Sequence, residues 1–339
     1  MRDADFTNLL RILDRRTPRR PTLFELFLND TMYRKIAGPT IAAMTDDLAP
    51  WRLRMHGMRG AGFDYASVLA SELNFPAAET RHLQTKSLNE GGVIFDRASF
   101  NSYPWMDPDR CDYSRLERLE KELPKGMKLV VMCPNGVLEN AIQLVGYERL
   151  CLMLADNPQL TWDVFEAVGS RLVRYFDIAC AYPSVGAAIS NDDWGFKTQT
   201  MLSPADMRKY VIPWHRKIVA AIHEHNKPAI LHSCGNLEAV MEDIIEWIGF
   251  DGKHSYEDAI MPVEDAYEKY AGRVAVLGGI DMDFICRRPA QEVRARSIAM
   301  LERSAMRGGY ALGTGNSVPE YVPEEKFRAM TSAALGPEA

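Results

Sequence analysis

From residue 126 onward, short apolar runs alternate with longer stretches of helical periodicity. "MKLVVMCP" is a brief β-rich run, whereas "NAIQLVGYERLCLMLADNPQLTWDVFEAVGSRLVRYFDIACAY" repeats its apolar positions with helical spacing and is broken at Asp156-Asn157-Pro158. "VGAAISNDDWG" reads as a strand that ends in acids. "SPADMRKYVIPWHRKIVAAIHEHN" reads as a helix with Ser203 as N-cap, Pro204 at its first position and a kink at Pro213. The segments "KPAILHSCG", "FDGKHS", "RVAVLGGID" and "GYALGTGN" read as further strands. Between them, "NLEAVMEDIIEWIG", "PVEDAYEKYAG" and "PAQEVRARSIAMLERSAMRG" read as helices. Repeated strand-helix units of this length predict parallel strands joined by right-handed crossovers.

The polar residues decide between an open sheet and a closed one. Asn191, Asp192 and Asp193 follow one predicted strand, His232 and Cys234 the next, then His254, Asp281 and Asn316. In an eight-stranded TIM-type (β/α)8 barrel all these strand ends meet at one mouth; an open sheet would disperse them. The expected organisation is therefore a β/α barrel over residues 61–339, carrying residues 1–60 as a mainly helical extension. "FDYASVLA" is a candidate for the first barrel strand, and "EGGVIFDRASFNSYPWMDPDRCDYS" for a long aromatic-rich loop over the mouth. Neither a low-complexity linker nor an internal repeat is present.

Composition narrows the class without naming it. Hydrophobic residues make up 47% and charged ones 25%, as in ordinary globular enzymes, and the net charge of −6 argues against a general nucleic-acid binder. The basic cluster "RRTPRR" lacks aromatic interleaving and reads as a solvated connector. No apolar run reaches the length of a membrane span, and "MRDADFTNLLRILDRR" does not have the form of a signal peptide. Six scattered cysteines without a CxxC pair fit free thiols in a reducing cytoplasm. Cys151 and Cys180 fall in apolar helical patterns, where a thiol packs as a small hydrophobe.

One strand end carries unusual chemistry. His232 and Cys234 stand two residues apart, so along a strand their side chains point to the same side. An imidazole and a thiolate suit Zn2+, which accepts nitrogen and sulfur in tetrahedral geometry. The alternative is a hydrogen-bonded histidine beside a packed thiol.

"HSCGN" followed by a helix, "GGIDMDFI" after the penultimate strand, and a Gly-rich last strand leading to "VPEEKFRAM" together resemble the uroporphyrinogen decarboxylase superfamily over most of residues 128–332. The resemblance implies a β/α barrel with a deep polar cleft and one of two activities: decarboxylation of a porphyrinogen, or zinc-dependent methyl transfer between a corrinoid protein and a small-molecule donor or a thiol acceptor. The decarboxylases hold their polycarboxylate substrate with an arginine-bearing N-terminal motif. The comparable stretch here, "RRPTLFELFLND", has no arginine between Thr22 and Phe27, and Glu25 is expected to repel carboxylates; Arg19 and Arg20 lie outside the motif.

In the methyltransferase branch the His-x-Cys supplies two zinc ligands, which map onto His232 and Cys234, and a cysteine near the final strand supplies a third. This chain has Gly313-Thr314-Gly315-Asn316 there, so the third ligand is expected from Glu257 or, failing that, His254. Asp193 and Asp281 are candidate catalytic acids, Asp281 also being able to orient His232, while Cys286 is expected to pack. Asp192, Trp194 and Asn316 are candidate substrate contacts; loop capping, core packing and turn geometry are the plainer roles for them. The expected function is a cytoplasmic zinc-dependent methyltransferase or demethylase with a corrinoid protein as partner. A uroporphyrinogen decarboxylase, or a non-catalytic binder of a corrinoid or tetrapyrrole, are the alternatives.

Overall fold

The computed structural model describes residues 2–78 and 88–336. Seven strands form its sheet: β1 Tyr65–Leu69, β2 Lys128–Met132, β3 Val185–Asn191, β4 Ala229–His232, β5 Gly252–His254, β6 Ala275–Leu277 and β7 Tyr310–Ala311. They pair in sequence order, every neighbour parallel. Strands such as Lys128–Met132 (KLVVM) and Ala229–His232 (AILH) are apolar nearly throughout because helices cover the sheet, leaving few positions for water.

Seven strands, not eight, make up the described sheet, and the reason lies in the first sixty residues. These are helical at Thr7–Leu13, Asp30–Ala37 and Ala49–Gly60, but residues 22–28 are extended along β7. Isolated parallel bridges join Leu23 to Leu312 and Leu28 to Val318. Phe24 N–H donates to Leu312 C=O, and Leu312 N–H to Thr22 C=O. On the other side, Glu25 N–H donates to the Tyr65 hydroxyl of β1 at 2.8 Å. The pairing is thus made by single bridges and side chains rather than a ladder.

The break at Asp156-Asn157-Pro158 is present: one helix ends at Asp156, and Pro158–Cys180 follows with Asn157 capping Leu160 N–H. Ser203 caps the next helix as expected, and ahead of Pro213 the chain widens into a π-helical turn over Met207–Val211, which accommodates the missing proline N–H. The segment expected as one helix after "HSCG" is instead a 3-10 turn, Glu238–Val240, and a π-helical stretch, Asp243–Ile248. The aromatic loop contains its own helix, Arg97–Ser102, and is tied to Pro158–Cys180: Arg171 lies over the Trp105 ring and donates to Met106 C=O. Cys180 is buried as expected; Cys151 is exposed, since it falls on the outer face of its helix. No described helix is long and apolar enough to cross a membrane.

Candidate metal centre

The β4 and β5 strands are in register with His232 opposite His254, so the two rings point the same way and meet, Nδ1 to Nδ1, at 2.8 Å. Gly278, after β6, leaves the space: a Cβ there would lie 2.8 Å from His254 Nε2. The other nitrogen of His232 faces Cys234, with Nε2 to Sγ 3.8 Å, and Asp193, with Nε2 to Oδ1 4.0 Å. One donor atom from each of Asp193, His232 and Cys234 lies within 4.8 Å of the others.

Two glycines bring Asp193 there. The loop after β3 and the loop after β4 touch backbone to backbone, and a Cβ on Gly235 would collide with Gly195 C=O. Gly235 also has φ +87°, which favours glycine. With the loops this close, Cys234 N–H donates to Asp193 Oδ1 at 2.8 Å and Asn236 N–H to Phe196 C=O at 2.7 Å.

The donors suit zinc in kind and spacing. Bonds of about 2.0–2.3 Å in a tetrahedron put donor atoms roughly 3.5 Å apart, close to the separations from His232. Nitrogen, sulfur and a carboxylate oxygen are all ordinary zinc ligands. Burial pushes the Cys234 thiol up to about 12, the Asp193 charge adding to the effect, and burial also raises Asp193. His232 is held well below the usual imidazole range by burial, with His254 and Lys253 adding to it. The imidazole is therefore neutral and fit to ligate, while the thiol must release its proton to a metal.

The other residues singled out in the sequence take different positions. His254 has both nitrogens engaged, Nδ1 with His232 and Nε2 with Thr314 C=O at 3.1 Å, so neither is free for a metal. Glu257 is outside the cluster and lines a cleft of about 1380 Å³ together with Asp281, Phe284 and Asn316. Asp281 accepts from Phe284 N–H and Asp258 N–H, capping the helix Met282–Arg287. Asn316 Nδ2 donates to Cys234 Sγ at 3.1 Å, which steadies the sulfur instead of leaving the amide for substrate.

Asp192 and Trp194 are wholly buried. The Asp192 carboxylate receives Leu138 N–H, Glu139 N–H and Trp194 Nε1–H at 2.9 Å and meets His215 Nε2 at 2.8 Å. These contacts tie β3 to the N-terminus of the helix Val137–Val145, and they leave no room for a ligand. Ser190 Oγ, 3.2 Å from His215 Nδ1, completes a serine-histidine-aspartate series, but all three are enclosed and make a structural network rather than a nucleophile. Asp192→Asn keeps the shape but offers an N–H2 where donors converge, and is expected to cost roughly 2–3 kcal/mol of stability in urea unfolding.

Lys253 and Glu139 carry no signal in the sequence, and Glu25 takes a role other than the one expected. Glu25 is fully buried; Oε1 accepts Thr314 N–H and Oε2 lies against Thr314 Oγ1, each at 2.7 Å, so it does not face a substrate as its charge alone suggested. Thr314 Oγ1 also touches Asn316 C=O. One hydroxyl hydrogen cannot serve two acceptors, so both contacts are satisfied only when Glu25 carries a proton, in keeping with burial that pushes it up to about 8. Lys253 is buried and drawn down to about 8 by burial, its Nζ donating to Ser255 C=O at 2.6 Å. Glu139, pushed up to about 8 by burial and by the Asp192 and Asp193 charges, shares the wall of a cavity of about 270 Å³ with Asp193. The signal for Glu25 was an acid set inside the apolar run "LFELF".

Three relatives frame this geometry. The family model described as Uroporphyrinogen decarboxylase (URO-D) matches residues 96–335. A uroporphyrinogen decarboxylase of Desulfotalea psychrophila is 22% identical over 204 residues, covering 59% of this chain and 56% of that protein. One from an Anaeromyxobacter species is 23% identical over 188 residues, covering 56% of this chain and 51% of its own. The chain spans about half the length of these curated relatives. A methyltransferase from Methanosarcina mazei superposes over 100% of both chains with a TM-score of 0.72 at 16% identity, which shows a common fold.

Proposed function

Because this chain belongs to the uroporphyrinogen decarboxylase family, its chemistry is expected where the strands end, and we propose that it is a zinc-dependent methyltransferase or demethylase working with a corrinoid protein. The convergence of a nitrogen, a sulfur and an oxygen donor on His232, Cys234 and Asp193 carries this reading. In it, residues 61–339 are one β/α barrel, residues 22–28 act as its closing eighth stave, and the rest of residues 1–60 pack outside. Zn2+ held by the three residues would supply a Lewis acid with an open position, able to lower the pKa of a substrate thiol or polarise a C–O bond. Asn316 holds the Cys234 sulfur in place, and we assign Glu139 the task of keeping a proton at the wall it shares with Asp193. The wide cleft beside Asn316 takes the small-molecule donor or acceptor.

The charges oppose the decarboxylase reading. Arg20 pairs with Asp64 just before β1, at the opposite end of the sheet from the centre. In the wide cleft Lys197, Arg287 and Arg288 face Glu257, Asp258, Asp281 and Asp283, three cations against four carboxylates, a poor host for a polycarboxylate. Incubation with uroporphyrinogen is expected to yield no coproporphyrinogen. Methyl transfer with a corrinoid protein should appear and be lost on chelation. Steady, chelator-insensitive formation of coproporphyrinogen would overturn the proposal.

A further inference from the structure

We infer that His254 is a positioning residue that selects, before any metal arrives, the tautomer of His232 whose Nε2 is free to bind. The inference rests on reading Asp193, His232 and Cys234 as a metal centre, and its argument starts at the far end of a hydrogen-bond chain. A carbonyl oxygen can only accept, so His254 Nε2, 3.1 Å from Thr314 C=O, carries a hydrogen. Both rings are enclosed, and among the described residues no carboxylate lies within hydrogen-bond distance of either; each imidazole is therefore uncharged with a single N–H. His254 Nδ1 is then a bare lone pair.

His232 Nδ1 stands 2.8 Å from that lone pair. Two lone pairs at this distance would repel, so His232 Nδ1 bears the hydrogen and donates it. Its Nε2 is left unprotonated, and this is the atom facing Cys234 Sγ and Asp193 Oδ1. A histidine's ligating nitrogen is set by the bond its other nitrogen makes; here the setter is a second imidazole, itself oriented by a carbonyl. Thr314 is held in turn by Glu25, which accepts its N–H. The polarity of the whole chain, from His232 through His254 to Thr314, thus runs one way and ends on a group that cannot reverse it.

The test needs no catalysis. Long-range 1H–15N spectra of the histidine side chains in the full chain after EDTA treatment, assigned with His232→Gln and His254→Gln, are expected to show Nδ1–H for His232 and Nε2–H for His254. Nε2–H on His232 would overturn the inference. Zinc titration supplies the second arm: His254→Phe keeps the ring shape but removes the acceptor, and should weaken zinc binding roughly 10–100-fold, whereas His254→Gln, with an acceptor and a donor, should recover most of it. Unchanged zinc affinity in a folded His254→Phe would also overturn it. If His254→Phe does not fold, the wild-type spectra still decide. Wild-type protein that shows the expected tautomers yet takes up no zinc would support the inference while refuting the metal centre.

Discussion

Cys234→Ala is expected to lose its zinc on dialysis while wild type retains about one ion per chain. With three protein ligands, removal of the thiolate leaves an imidazole and one carboxylate. Full zinc sites are worth about 10–16 kcal/mol over their ligands, so one ligand accounts for about 3 kcal/mol, or roughly a hundredfold in affinity. The proposed methyl-transfer activity should fall at least as far, since the Lewis acid would go with the metal. Cys286→Ala and Glu257→Gln are the controls: both residues line the cleft outside the cluster and should leave the metal content unchanged. Metal analysis of the dialysed proteins, with zinc titration of the stripped forms, reads the result. Equal zinc in Cys234→Ala and wild type would remove the thiolate from the centre; loss of zinc in Glu257→Gln would return the sequence-based assignment to favour.

The second large effect concerns stability. Glu25 is held at about 8 in the folded protein, against 4.5 for an ordinary glutamate, because burial disfavours its charge. The folded state therefore keeps a proton that the unfolded state gives up, and between those two pH values stability falls as pH rises. The slope is about 1.4 kcal/mol per pH unit, which gives up to roughly 5 kcal/mol across the window. Below it both states are protonated and nothing changes; above it the loss is complete. A glutamine side chain in place of the acid would accept Thr314 N–H and donate to Thr314 Oγ1 at every pH. Glu25→Gln should thus differ from wild type by less than about 1 kcal/mol in urea unfolding at about pH 5 and exceed it by several kcal/mol near pH 8.5. Parallel pH profiles for the two proteins would show that Glu25 is not a buried neutral acid.

The sequence carried the strands well because parallel strands covered by helices are short apolar runs flanked by polar ends, and every run identified from "FDYASVLA" to "GYALGTGN" holds a strand. His232 and Cys234 were legible for a local reason, their spacing at a strand end. Asp193 was visible as an acid but not as a partner of Cys234, because what joins them is the contact of Gly195 with Gly235, on two loops well separated in sequence. For Glu257 the sequence offers only its place after the adjacent strand. For Asp192 and Trp194 the sequence leaves capping and core packing standing beside substrate contact, because after a strand the alternation of faces lapses; the pairing of Asp192 with His215 decides which side chain points into the core.

Residues 22–28 lie along a strand near the far end of the chain, and Glu25 reaches Thr314 across 289 residues. Contacts between such distant parts of a chain form late, since the loop they close carries a large entropy cost before any pairing offsets it. During synthesis the early segment must wait for β7 to emerge. His232, Cys234 and His254, on adjacent strands, can therefore meet while the backing of Thr314 is still missing, and a nascent chain that met a metal ion at this stage would hold it in an immature site. If the proposed metal centre forms, firm binding would therefore report a completed fold.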